Sequence, residues 1–396
     1  MILAIADDFA GAAEIAGIGH GHGLRSMVGF EFPSGDQPDL LVIDSNSRSM
    51  DRENAAEAIA DVARRIKQNA VRPVHVFKKI DSVLRGPVLA ETESLMTALG
   101  LHSAVVVAGN PASGRVVRDG RLLIKGTPLH RTGFAADPEY PAHSSSALEL
   151  LGTGKHSPRL ANPGDSLDPG VAVANAASVA DLATWADTVS PETLPAGGAA
   201  FFNALLPFWV PRGQGPNEQF PLRGSRLYVC GSACADSRNS IWEWRRAGVG
   251  VAEMPAAHLG SDMDELAIRW AEEAQTILRL SGQAVLTIGT PGGDGSKVTG
   301  RFAVRTLPLP PLELAAIMGA AASHVIRKIR PAHVVIEGGG TSSVLLYAMG
   351  WSPLEVLHEH APGVTTLRLA AGRGPTVTVK PGSYPWPAAL CPRSSR

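Results

Sequence analysis

The sequence predicts an α/β protein of two domains, each with a largely parallel sheet flanked by helices, and a ligand cleft between them. Three observations predict it. The chain has 396 residues, more than one ordinary core takes up. Short apolar runs alternate with stretches at helical spacing, and the alternation starts twice along the chain. That order implies right-handed crossovers and parallel pairing. Finally, 42 Gly and 30 Pro punctuate a composition that is 44% hydrophobic and 18% charged, as expected of a globule with many short elements.

The first run of strands reads Ile2–Ala6, Leu40–Asp44, Val74–Phe77 and Ala104–Ala108. Between the second and third, Ala56, Ile59, Ala60, Ala63 and Ile66 recur at helical spacing within Asp51–Gln68. Asp51 suits the cap of that helix, where a carboxylate meets free N–H groups. Asp119-Gly120 between apolar arms marks a hairpin over Val117–Ile124. From Thr132 to Gly170, Pro, Ser, Gly and His dominate, with one short helical piece near Ser146–Leu151. A strand at Val171–Ala174 and a helix at Val179–Ala186 follow. Pro191–Gly224 mixes Pro, Gly and aromatics, and its later part, near Gly213–Gly224, reads as the crossing between domains. The expected domains are therefore residues 1–215 and 216–396.

In the second half, strands fit Leu227–Cys230, Gly250–Met254, Ala284–Ile288 and His333–Glu337. Helices fit Asp236–Ala247, Met263–Leu278 and Leu312–Ile329. Val364–Leu369 and Thr376–Lys380 read as antiparallel edge strands. The glycine-rich Gly17-Ile18-Gly19-His20-Gly21-His22-Gly23 follows a helix, so it reads as a helix stop and not as a dinucleotide loop.

Composition narrows the function. Lys+Arg is 36 and Asp+Glu 37, a formal net charge of -1, so neither nucleic acid nor an anionic membrane is an expected partner. No run approaches the ~20 apolar residues of a membrane span, and the six-residue start MILAIA reads as a buried strand, not a signal peptide. Three cysteines, Cys230, Cys234 and Cys391, make no disulfide framework, and the expected compartment is the cytoplasm. No second Cys/His pair follows VCGSAC at finger spacing, and no HExxH occurs. Metal ligands stay unassigned. His75 and His333 read as packed residues.

Ligands of open parallel sheets bind beyond the carboxyl ends of the strands. After the first strand come Asp7 and Asp8; after the second, Ser45-Asn46-Ser47-Arg48; after the third, KKIDSVLRG; after the fourth, GNPASGR, which ends at Arg115. KKIDSVLRG interleaves Lys79, Asp81, Ser82, Arg85 and Gly86 with apolar residues. Arg and Lys hold a carboxylate, Asp accepts from sugar hydroxyls, and one Asp can orient or deprotonate an attacking hydroxyl. A surface ion-pair network on one helix is the plainer reading of the same segment. In the second half, Gly231-Ser232-Ala233-Cys234 and Gly338-Gly339-Gly340-Thr341-Ser342 each follow a strand and open a helix, offering N–H groups to a phosphate. Pro291-Gly292-Gly293-Asp294-Gly295 reads as a surface turn or a lining of the nucleotide site.

These motifs resemble the four-carbon acid sugar kinases. IADDFAGAAEIAG is similar to that family's IADDLTGAAEIA-type opening, and KKIDSVLRGPV to its KKIDSTLRGNV-type motif. NPASGRVVRDGRLLIKGTPLHRTGFAADPEYP resembles the family's PAxGR segment, hairpin and DPxxP turn. VCGSACADSR is similar to the GSCSPxTR-type segment and EGGGTSSVLL to the GGDT-type turn. The resemblance implies an N-terminal domain for the sugar acid, a C-terminal domain for ATP with magnesium, and threonate, erythronate or oxidised tetronates as acceptors. It allows for a homodimer. It puts Asp8, Lys79, Asp81, Ser82, Arg85 and Arg115 at the substrate, and Ser232, Cys234, Gly338, Gly339, Gly340, Thr341 and Gly382 at the nucleotide. Asp81 is the first choice of base and Asp8 the second.

The departures fall mostly on the nucleotide side. Ala10 stands for the Thr of the opening motif, Cys234 for the second Ser of the GSCS-type segment, and Gly340 for the Asp of the GGDT-type turn. The closing KSGxFG loop appears as Lys380-Pro381-Gly382-Ser383-Tyr384-Pro385, whose prolines lack the N–H groups of a phosphate cradle. Two other readings stay open. One is an acid-binding protein that has lost ATP turnover. The other is an NAD-dependent dehydrogenase, disfavoured because no GxGxxG follows a strand.

Overall fold

The computed structural model describes residues 1–69, 72–137, 139–211, 213, 215, 220–232, 234–255, 262–289 and 309–393. The chain divides into two compact units, Met1–Pro216 and Asn217–Arg396. The expected Pro291–Gly295 turn lies outside the described residues, as does part of the expected crossing.

The first unit is built on parallel strands: β1 (Ile2–Ala6), β2 (Ser26–Gly29), β3 (Leu40–Asp44), β4 (His75–Lys79) and β5 (Ser103–Val107). A three-stranded antiparallel flap follows, β6 (Arg115–Arg118), β7 (Arg121–Ile124) and β8 (Thr127–Pro128). Then come β9 (Arg159–Ala161), β10 (Gly170–Ala174) and β11 (Thr193–Gly197). The main sheet runs β2-β3-β1-β4-β11-β5-β10-β9, with parallel pairing throughout. Its helices are α1 (Phe9–Gly21), α2 (Arg52–Gln68), α3 (Val88–Leu99), α4 (Ala147–Leu151), α5 (Val179–Thr188) and α6 (Ala199–Trp209).

Register decides where the chemistry gathers. Ala6 pairs with Asp44 and with Lys79, and Lys79 with Gly197. The carboxyl ends of β1, β3, β4 and β11 are thus level, and the residues after them emerge together. Asp51 caps α2 by accepting from the Asn54 N–H at 2.9 Å. Ala55, Ile59, Val62, Ala63 and Ile66 form its buried face, turned slightly from the expected one.

Two expectations about this unit are corrected. The glycines Gly17, Gly19 and Gly21 lie inside α1, which stops only at His22. A Cβ on Gly19 would sit 2.3 Å from a Leu40 methyl, so the glycine lets the helix lie directly on β3. The mixed Pro191–Gly224 segment also holds a strand and a helix, β11 and α6. In α6, Phe201 and Phe202 pack on Phe77 of β4 with ring centroids 6.2 and 5.1 Å apart. That apolar face outweighs Pro207 within the helix.

The second unit contains β12 (Arg226–Cys230), β13 (Val251–Glu253), β14 (Gln283–Thr287), β15 (His333–Glu337), β16 (Leu354–Ala361), β17 (Val364–Leu369) and β18 (Thr376–Lys380). Its helices are α7 (Ala235–Arg246), α8 (Met263–Ser281), α9 (Pro311–Ile329) and α10 (Gly339–Met349). The order is β13-β14-β12-β15-β18-β17-β16, parallel from β13 to β18 and antiparallel beyond. Neither β17 nor β18 is therefore an edge strand: β17 lies between β18 and β16, and β18 lies beside β15, with Lys380 opposite Glu337. Val377 and Val379 are fully buried there, and their apolar side chains account for the inner position. Among the described residues no helix is long and apolar enough to cross a membrane.

Candidate active site

Four strand ends of the first unit supply a dense set of charges. Asp8 caps α1, its Oδ1 accepting from the Gly11 N–H at 2.8 Å. Arg48 grips Asp7 through Nε and Nη2, each at 2.8 Å, and reaches Asp8 Oδ2 through Nη1 at 2.6 Å. Burial pushes the Asp7 carboxyl up, but the Arg48 guanidinium together with Lys78 and Lys79 holds the group below its ordinary value. Gly86 passes close over Arg48: its φ is +86°, and a Cβ there would lie 3.1 Å from the Arg48 carbonyl oxygen. The Tyr140 hydroxyl donates to that same carbonyl, and burial pushes this phenol up to about 12.

Asp81 is engaged on both oxygens. Oδ1 accepts from Arg85 Nη2 at 2.9 Å; Oδ2 accepts from Arg85 Nε at 3.1 Å and from the Val83 and Arg85 N–H groups. Burial opposes ionisation, yet Arg85, then Arg48, hold the Asp81 carboxyl far below the usual range. Arg85 also donates to Asp137 Oδ2 at 3.0 Å, and Asp137 in turn is fixed by the Glu139 and Tyr140 N–H groups. Two aspartates thus satisfy Arg85, as two satisfy Arg48. Arg115 differs. Its Nη1 donates to Ser82 Oγ at 2.7 Å, and it has no carboxylate partner among the described residues. The Phe134 ring lies 5.6 Å from Arg85 and 6.0 Å from Arg115. Lys79 is buried, donates to the Ile80 carbonyl at 3.0 Å and is 3.9 Å from Glu14. A Cβ on Gly11 would meet both Asp8 Oδ1 (2.7 Å) and Lys79 Nζ (2.9 Å), so that glycine keeps open the space between cation and carboxylate.

The corresponding turns of the second unit carry backbone N–H groups and hydroxyls. Ser232 Oγ accepts from the Cys234 N–H at 3.1 Å and donates to the Gly382 carbonyl at 3.3 Å. Cys234 is the N-cap residue of α7, and Gly338, at φ +103°, that of α10. A Cβ on Gly231 would lie 2.1 Å from Thr341 Oγ1, and one on Gly382 would lie 2.6 Å from Ser232 Oγ. A Cβ on Gly340 would meet nothing within 4 Å. Free N–H groups at two helix starts, with open space before one of them, fit a polyphosphate. Beneath them Glu337, Lys380 and Ser237 form a buried cluster. Among the described residues no three His, Cys, Asp or Glu side chains are grouped to hold a metal. Magnesium carried by phosphates and waters needs no such cage, and the Ser232 and Thr341 hydroxyls are groups that fit it.

A profile for a sugar-binding N-terminal domain matches residues 2–205, and one for a nucleotide-binding C-terminal domain matches residues 227–384. The chain belongs to the family of four-carbon acid sugar kinases. It is 26% identical to a D-threonate kinase of Salmonella typhimurium over 98% of this chain and 96% of that one. It is 25% identical to a 3-oxo-tetronate kinase of Brucella melitensis over 96% and 92%. A D-erythronate kinase of Heliobacterium modesticaldum is 33% identical, over 39% of this chain and 37% of that protein. Solved structures from Haemophilus influenzae (TM-score 0.69) and Salmonella typhimurium (TM-score 0.76), each 19% identical over 98% of this chain, share the fold.

For this family member, the residues expected at the acid gather at the carboxyl edge of the first sheet, and those expected at the nucleotide gather in three turns of the second. Several further residues were not singled out from sequence. Gly11 keeps the gap between Asp8 and Lys79. Asp137 and Phe134 hold Arg85, and Tyr140 holds Arg48. The DPEYP motif contained two of these, but nothing local tells that its Asp reaches back to residue 85. His75 stacks on Trp209 at 4.7 Å, and His333 is buried between Thr376 and Thr378 hydroxyls, both as packed residues.

Proposed function

We propose that this chain transfers the γ-phosphate of ATP to a hydroxyl of a four-carbon sugar acid, with the first unit holding the acid and the second the nucleotide. One observation carries the acid side: Arg115, bound to Ser82 and lacking a carboxylate partner among the described residues, stands among charges that are otherwise matched. In this reading Arg115 and Ser82 take the substrate carboxylate. Lys79 faces the hydroxyl end, next to Asp8. Asp81 is the poorer base, because two Arg85 nitrogens and two N–H groups converge on its oxygens, whereas Asp8 accepts one Arg48 nitrogen and one N–H; the role of Asp81 is to fix the loop. Asp8 is then the carboxylate that orients the attacking hydroxyl and takes its proton as the new O–P bond forms and the bond to the β,γ-bridging oxygen breaks. Such a transfer rests mainly on positioning and charge stabilisation. Magnesium, when bound, would neutralise phosphate charge.

A binding protein without turnover is the second reading. Pro381 and Pro385 remove N–H groups from the closing loop, and Gly340 leaves its position without a side chain. A coupled ADP-release assay with ATP–Mg against D-threonate, D-erythronate and 3-oxo-tetronate decides between them. Acid-dependent ADP release supports the kinase. Silence across the panel, with heat stabilisation by an acid but not by ATP, supports the binding protein.

A further inference from the structure

Each unit contains a fully buried lysine held in the same way. Lys78 and Lys380 are both 0% exposed. Lys78 Nζ lies 2.8 Å from Glu91 Oε2 and donates to the carbonyl of the next residue, Lys79, at 2.9 Å. Ser47 Oγ donates to the other Glu91 oxygen. Lys380 Nζ lies 2.7 Å from Glu337 Oε1 and donates to the carbonyl of the next residue, Pro381, at 2.9 Å. Ser237 Oγ donates to the other Glu337 oxygen. Both lysines stand at the carboxyl end of a strand with a parallel partner, Lys78 as the penultimate residue of β4 and Lys380 as the last of β18.

Stability does not explain this arrangement. Taking two charges out of water costs several kcal/mol per ion, and well-packed apolar replacements of such pairs are often neutral or stabilising. What each cluster does is tie together the segments that carry the ligand-facing residues. In the first unit, Lys78 fixes the peptide of Lys79, Ser47 adjoins Arg48, and Glu91 lies on α3, just after Gly86. In the second, Lys380 fixes the peptide before Gly382, Glu337 precedes Gly338, and Ser237 lies in the first turn of α7, just after Ser232 and Cys234. The Gly338 N–H donates to the Lys380 carbonyl at 2.9 Å, which closes that group of turns.

We infer that Lys78–Glu91–Ser47 and Lys380–Glu337–Ser237 are positioning clusters, the first setting the loops that bind the sugar acid and the second the turns that bind the nucleotide. The inference rests on the proposed function for its two ligands. A buried ion pair of this kind restricts the carbonyls and strand ends around it, where an apolar patch would tolerate several arrangements; Lys380 hydrogen-bonds Glu337, whereas Glu91 Oε2 meets Lys78 as an ion pair without a hydrogen bond.

The test uses paired, charge-neutral replacements in the full chain: Lys380→Met with Glu337→Leu, and Lys78→Met with Glu91→Leu. Calorimetric titration with ATP–Mg and with the acid that supports turnover is read beside Tm. Tm is expected to hold within about 5 °C. The first pair should weaken ATP about tenfold, in the range for a lost outer partner, and leave the acid unchanged; the second pair should do the reverse. Should either pair fail to fold, Ser237→Ala and Ser47→Ala apply the same cross at about threefold, since each removes one hydrogen bond to a carboxylate and leaves the ion pair in place. Unchanged affinity for both ligands in all folded variants overturns the inference, as does loss of both ligands at unchanged Tm. Failure of the unaltered protein to bind ATP would instead overturn the nucleotide reading, and the second cluster's role with it.

Discussion

The strand ends of the two units carry opposite kinds of groups. At the first sheet's edge two arginines are each matched by two aspartates, Arg48 by Asp7 and Asp8, Arg85 by Asp81 and Asp137. At the second, the described turns offer backbone N–H groups, hydroxyls and glycine space, with their ion pair buried underneath. Under the proposed function the difference follows from ligand chemistry. A small hydroxy acid presents a carboxylate and a few hydroxyls, and only directional charged groups can tell them apart. A polyphosphate presents many equivalent oxygens, which helix starts and turns bind well.

The sharpest way to break this comparison is to remove an arginine of each kind. Arg85→Ala leaves Asp81 and Asp137 buried and unpaired, and is expected to cost about 3–5 kcal/mol of stability, read by urea unfolding. Among the described residues, Arg115→Ala leaves no carboxylate partner behind. Its expected effect is about 2 kcal/mol in acid binding, the loss of a charged hydrogen-bond partner, with Tm and KM for ATP unchanged. Equal destabilisation by both would erase the distinction between framework and ligand arginines.

On the nucleotide side, Gly231→Ala drives a Cβ to 2.1 Å from Thr341 Oγ1. Displacing that turn should raise KM for ATP about tenfold, a cost of about 1.4 kcal/mol, while KM for the acid stays as it was. Acid sensitivity should also separate the units. Asp7 and Asp81 are held below their unfolded values, so the stability they contribute is present above the ordinary carboxylate pKa and is lost as pH falls through and below it. Melting followed from pH 6 to about pH 3 should show the first unit giving way ahead of the second. The smallest effect belongs to Gly340→Ala. The added methyl meets open space near the start of a helix, and a gain of about 0.5–1 kcal/mol is expected in unfolding free energy.

Much of this was legible in the sequence because it is local. Strand-length apolar runs marked ten of the thirteen described strands with parallel partners and missed β2, β9 and β11, and KKIDSVLRG announced a charged strand end by its composition alone. What stayed hidden depends on distant partners. Arg85 is satisfied by a residue 52 positions away and Lys380 by one 43 positions away, so the same letters fit a surface network equally well until the sheet is assembled. Helix α6 was masked by Pro207 and by the mixed residues around it. The glycines of α1 looked like a stop because glycine favours turns, whereas here the missing Cβ serves close packing on Leu40.

The most direct test of the account is a crossed steady-state measurement on Arg115→Ala and Gly231→Ala, with KM determined for the acid and for ATP in each. The account predicts that Arg115→Ala raises only the acid KM and Gly231→Ala only the ATP KM. A rise in the same KM for both variants would contradict the division of labour between the two units.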